Sequence, residues 1–218
     1  MTPPISLRLM LVIAGLAIWY STQALLRYRP SGTGRLGDGL HTLTARAFRY
    51  FTADRKSADW LLIASSLVID ALGIFVLAES VFGPSIRAFV GLIVVFIGRQ
   101  ICQALCALPP PEGMIWRNPG FPSLLVTYHV SNDLFFSGHT ALAVYGAIEL
   151  GTWGGPAWAV LGAAIAVFEI AVVIVLRAHY TMDVVTGAVA AFAAWVVAGW
   201  WAPACDAALV RWGQWLFG

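Results

Sequence analysis

Apolar residues arrive in this chain in runs close to twenty long, and no other feature limits its fold as tightly. An α-helix rises 1.5 Å per residue, so about twenty such residues cross the roughly 30 Å of hydrocarbon in a bilayer. Windows of that length mark spans near 5–26, 58–81, 85–107, 137–153, 157–177 and 181–202, each bounded by proline, glycine or charge. The expected fold class is all-α: a polytopic membrane protein of about six transmembrane helices, forming a single domain over 1–218. With 60% hydrophobic and 11% charged residues, a water-soluble domain is excluded. A net charge of +2, with 13 scattered basic residues, gives no reason to expect nucleic acid as a partner. The first 26 residues have a charged start but no small-residue cleavage site, which predicts a retained first helix rather than a signal peptide. The expected location is an integral membrane, the inner one for a bacterial chain.

The connecting segments carry further information. Between the first two spans, Leu36, Leu40, Leu43, Ala47 and Tyr50 recur every three to four residues among charges, which predicts a helix over 36–53 lying along the membrane interface. Between the third and fourth, Leu108-Pro109-Pro110-Pro111-Glu112-Gly113 and Asn118-Pro119-Gly120-Phe121-Pro122 cannot continue a helix and predict an irregular folded loop, a place where function concentrates. After Pro203, Arg211, Trp212, Trp215 and Phe217 suit the headgroup layer, where indoles anchor. Cys102, Cys106 and Cys205 are read as packed thiols.

The chemistry centres on two short elements. His139 follows Ser137-Gly138 at the opening of the fourth span, and His179 precedes Asp183 by four residues at the opening of the sixth. The 40 residues between the histidines suffice for two crossings and a turn, so both are expected on one membrane face. Spacing of i, i+4 stacks Asp183 on His179, where the carboxylate can hold one ring nitrogen and leave the other free to attack. His139, when protonated, could donate to a departing alkoxide. Ser137 and Thr181 both read as N-caps, so two helix starts with free N–H groups would face an anion. Arg177, Arg99 and Arg117 are candidate clamps, and Arg99 draws attention because a guanidinium inside a span needs a partner or a polar cavity.

Two other readings use the same residues differently. His139, His179 and Asp183 could ligate zinc, with His129 or Asp133 as the fourth group. Asp70, Glu79, Arg99, Glu149 and Glu169 in or near spans could serve transport, although neither broken half-helices nor an internal repeat accompanies them.

Asp133-Leu-Phe-Phe-Ser137-Gly138-His139-Thr140 resembles the Cys-Gly-Asp-x-x-x-Ser-Gly-His-Thr element of the sphingomyelin synthase branch of the PAP2 lipid phosphatase and phosphotransferase superfamily. His179-Tyr180-Thr181-Met182-Asp183-Val184 resembles the branch's His-Tyr-Ser/Thr-x-Asp-Val element, and Arg99 with Leu108-Pro109-Pro110-Pro111 is similar to its arginine-bearing helix and proline turn. The resemblance implies a PAP2-like bundle and a metal-independent, cofactor-free reaction. His179 would take the headgroup phosphate, His139 would protonate the leaving diacylglycerol and Asp183 would orient His179. Asp133, Ser137, Gly138, Arg177, Arg99, Tyr180 and Glu112 are the expected substrate- and phosphate-binding residues. The partners implied are a phospholipid donor, a lipid-alcohol acceptor such as ceramide or diacylglycerol, and membrane lipids; self-association into a homo-oligomer is left open. Ser131 and Asn132 replace the Cys-Gly of the element. The lysine-bearing first motif of the superfamily's phosphatases is absent, as is their arginine six residues before His179. These last departures favour transfer to an alcohol over hydrolysis by the same phosphohistidine.

The basic segment with Arg27, Arg29, Arg35, Arg46, Arg49, Arg55 and Lys56 shares the site's face and points it to the cytoplasm, whereas the resemblance implies an exoplasmic site. Trp116, Phe121, Tyr128, Phe135 and Phe136 could cage a choline or serve as interface anchors.

Overall fold

The computed structural model describes residues 3–26, 34, 36–128 and 134–217. Among them every regular element is a helix: α1 (Ile5–Leu26), α2 (Gly39–Leu43), α3 (Ala45–Ala53), α4 (Arg55–Phe82), α5 (Arg87–Leu105), α6 (Gly138–Gly154), α7 (Pro156–Val175) and α8 (Thr181–Phe217). Five of these, α1, α4, α5, α7 and α8, are long and apolar enough to cross a membrane. The sixth helix expected to cross, α6, has 17 residues and reaches about 25 Å, short of the length that the other five have. Gly155, at φ 77°, and Pro156 end it and reverse the chain into α7.

The bundle core joins α4, α5, α6, α7 and α8 through residues such as Leu62, Val76, Leu92, Leu142, Val172 and Ala194. α6 and α7 approach closely where Ala147 and Gly151 meet Gly162 and Ala159, small side chains that let two backbones touch in lipid. At the end remote from the histidines, Arg8 is buried. Its Nε donates to the Ser80 carbonyl at 2.9 Å, its Nη1 to Gly83 O at 2.6 Å and its Nη2 to Ser85 O at 2.7 Å, bonding α1 to the α4–α5 turn. Asp206 holds the same turn from α8 by accepting from Ser85 Oγ at 2.6 Å and the Ile86 N–H at 2.9 Å.

Two other expectations change. The last helix does not end before Pro203: α8 runs through it to Phe217, with Trp212 and Trp215 exposed. The segment over 36–53 forms two helices, broken at Thr44, and its stripe faces outward: Leu36, Leu43 and Tyr50 are exposed. The protein-facing side carries buried His41 and partly buried Phe48 and Phe51 instead. A three-to-four spacing finds an apolar face without telling whether lipid or protein meets it.

Candidate active site

The starts of α6 and α8 converge. Ser137 is fully buried and caps α6, its Oγ accepting the Thr140 N–H at 3.2 Å. Its own N–H donates to the Asp183 carbonyl at 3.1 Å, tying one helix start to the first turn of the other. The start of α8 differs from expectation, because Thr181 is not a cap. The Tyr180 N–H donates to Asp183 Oδ2 at 2.9 Å, a carboxylate three residues into the turn reaching back as in a capping box. The Thr181 N–H and hydroxyl donate to Asp38 Oδ2 and Oδ1 at 2.6 and 2.7 Å. Asp38 Oδ1 also caps α2 through the N–H groups of Leu40 at 2.9 Å and His41 at 3.1 Å. Burial pushes the Asp38 carboxyl up, but the bonds from Thr181 and His41 prevail and hold it below its ordinary value. The amides opening α8 are thus engaged by carboxylates, which leaves the start of α6 as the helix end able to face an anion.

His139 and His179 line one cavity of about 60 Å³, together with Arg99, Gly138, Trp116 and Trp19. His179 Nδ1 stands 3.6 Å from Asp183 Oδ2, within ion-pair reach but longer than a hydrogen bond, and Asp183 is fully buried. His139 Nε2, His179 Nδ1 and Asp183 Oδ1 are buried without a hydrogen-bond partner among the described residues. Such atoms are costly to bury, and the gathering of these three makes the place a candidate site. Arg99 bonds the Phe136 carbonyl through Nε at 3.1 Å and lies against Gly138, where a Cβ would stand 2.9 Å from that nitrogen. Only glycine lets the guanidinium lie so close to the α6 start. The Trp116 ring meets His139 edge to face at 4.9 Å and is held by an Nε1 donation to Thr127 O at 3.1 Å.

Other expected residues lie elsewhere. Arg177, in the left-handed region at φ 54°, sets its guanidinium 3.8 Å over the Phe48 ring and donates to Glu112 O at 2.9 Å, so it braces the proline turn outside the cavity lining. The Glu112 side chain is exposed. Tyr180 is buried with its ring 5.8 Å from that of His41, and burial pushes its hydroxyl up. Arg117 pairs with Asp59 at 2.6 Å. Asp133 and His129 lie outside the described residues. The acids suspected of transport have other partners: Glu149 pairs with Arg87 at 2.6 Å and Glu169 accepts from Ser65 Oγ at 2.6 Å. Asp70 accepts from Ser123 Oγ and from the N–H groups of Leu124 and Leu125, each of these two at 2.9 Å, and so ties down the loop that brings Leu125 to the cavity. Among the described residues, no three His, Cys, Asp or Glu side chains gather as a metal site.

The residues missed in the sequence are Asp38 and His41, whose Nε2 donates to the His179 carbonyl at 2.9 Å. An Asp before a glycine-started helix signals an N-cap for α2, but nothing local signals its reach to Thr181.

Apolar helices long enough to span a bilayer, with two imidazoles, a carboxylate and a guanidinium gathered at one end, define an integral membrane protein with a polar cluster among its helices. Residues 40–200 of the 218 match the profile of the family AtPDCT1/2, the phosphatidylcholine:diacylglycerol cholinephosphotransferases, and the chain belongs to that family. No curated protein and no solved structure matches it. The family match overturns the resemblance to the PAP2 superfamily and its sphingomyelin synthase branch. Short histidine elements record the needs of a chemistry, and they recur in lineages with different acceptors.

Proposed function

We propose that this chain transfers phosphocholine from phosphatidylcholine to diacylglycerol, by way of a phosphohistidine on His179. With Nδ1 turned to Asp183, His179 Nε2 attacks phosphorus. A P–N bond forms as the bond to the glycerol oxygen breaks, and His139 gives that oxygen its proton. An acceptor diacylglycerol then returns a proton to His139 while its oxygen attacks phosphorus, the P–N bond breaks, and His179 is regenerated. The bond made equals the bond broken, so the exchange is close to thermoneutral and needs no external energy source. Arg99 and the amides opening α6 face the phosphoryl oxygens, where negative charge gathers. Trp19, Phe96 and Trp116 on the cavity wall suit a quaternary ammonium. We read α6 as a short sixth crossing within a single membrane domain, which returns the chain to the face of His139 at His179.

The observation that carries this reading is that both imidazoles line one cavity, His179 with a buried carboxylate at 3.6 Å, in a chain of this family. The test is mass spectrometry of products from phosphatidylcholine labelled in its headgroup and diacylglycerol labelled in its acyl chains. Doubly labelled phosphatidylcholine is expected from the wild type and not from His179→Ala; soluble phosphocholine as the sole product would defeat the transferase reading.

A further inference from the structure

The segment before the second membrane helix has no place in the reaction just described, yet it touches the turn carrying His179 at three points. Asp38 accepts both the N–H and the hydroxyl of Thr181, at 2.6 and 2.7 Å. His41, buried, donates from Nε2 to the His179 carbonyl at 2.9 Å across 138 residues, and its ring lies 5.8 Å from that of Tyr180 at 30°. Phe48 carries the Arg177 guanidinium at 3.8 Å. Because a carbonyl only accepts, the bond fixes Nε2 as the protonated nitrogen of His41. It is the one contact of the three made to the backbone of His179 itself. On its other side, the His179 N–H reaches Val173 O at a long 3.3 Å. The turn from 176 to 180 lies outside any regular helix, so the direction of the His179 ring depends on what grips its backbone.

We propose that His41 is a positioning residue: by donating to the His179 carbonyl it fixes the peptide that aims the imidazole at Asp183 and into the cavity. The proposal rests on the reading of His179 as nucleophile. A nucleophile displaced by about 1 Å loses rate by as much as 10²-fold, and the loss falls on the chemical step rather than on substrate capture.

Three variants separate positioning from folding. His41→Phe keeps a ring beside Tyr180 without the donor; His41→Gln keeps an amide N–H at the reach of Nε2; His41→Ala removes both. Headgroup exchange between phosphatidylcholine and diacylglycerol is measured for each, with hydrogen–deuterium exchange of a peptide covering 176–184 and thermal unfolding in the same detergent. The expected result is a kcat lower by about 10- to 100-fold for His41→Phe with KM within about twofold, recovery to within about fivefold in His41→Gln, and faster deuterium uptake only in the variants lacking the donor. Wild-type rates in His41→Phe would overturn the proposal. So would equal losses in His41→Phe and His41→Gln, tracking lowered thermal stability. Acid-labile phosphoenzyme on His179 is assayed in the wild type alone. Its absence defeats the nucleophile reading, while deuterium uptake over 176–184 still upholds or overturns the grip of His41.

Discussion

Gly138 shows how one missing atom can serve a site. A methyl group there would meet Arg99 Nε at 2.9 Å and force the guanidinium back from the start of α6. Gly138→Ala is expected to lower transfer by about 10- to 100-fold, as misplaced electrostatic groups do. The unfolding temperature should change little, because alanine is the better helix former by about 1 kcal/mol and this offsets part of the crowding. Initial rates beside a thermal melt check this, and full activity in the variant would show that Arg99 need not lie against the helix start. His139, His179, Asp183 and Arg99 were legible because each breaks a local rule: a polar group at or within an apolar run must have a reason. Arg177 has the same look in the sequence, two residues before His179, but its left-handed backbone turns the side chain out to Phe48. That turn is set by packing that a linear reading cannot contain.

At the scale of elements, one carboxylate terminates two helices. Asp38 caps α2 and engages the first residue of α8, so Asp38→Ala is expected to cost about 1 kcal/mol for each cap and to loosen the docking of α2 on the α7–α8 turn. The sign of the pH dependence follows from the lowered pKa of this carboxyl. Its contribution is complete above the unfolded-state value of about 3.9 and is lost as pH falls through the lower folded value. The difference in unfolding temperature between wild type and Asp38→Asn should therefore be constant from neutrality to about pH 5 and shrink in stronger acid; a difference that grows on acidification would contradict the double cap. The long helices were legible from run length alone. The short α2 and α3 were legible as a helical stretch, but their inward face was not, because His41, Phe48 and Phe51 earn their places from partners far away in the chain.

For the whole molecule, the helices alternate so that the site gathers at the end where α4 and α8 begin and α5 finishes, while Arg8, Asp206 and the α4–α5 turn mark the other end. Basic side chains follow the same division. Arg46, Arg49, Arg55 and Lys56 are exposed at the site end, whereas at the other Arg211 is exposed and Arg8 and Arg87 are taken up by carbonyls and by Glu149. A cytoplasmic site is the expected orientation. Lys56→Cys, at an exposed position where α4 begins, should react with an impermeant maleimide only after the membrane is opened, and labelling of intact cells would reverse the assignment. The tie between Asp70 and residues 123–125 has one more implication. Asp70 lies 15 residues into α4, about 22 Å along its axis from Arg55, so the irregular loop it grips descends well into the depth of the bilayer. Non-helical backbone survives there only when protein satisfies it, and Asp70 does so. On the proposed mechanism, the fate of the phosphohistidine would become a contest of local concentrations. Diacylglycerol would be supplied by lateral diffusion in two dimensions while water is scarce in hydrocarbon, so on that mechanism the depth of the site, ahead of any contact with the acceptor, would tilt the outcome from hydrolysis towards exchange.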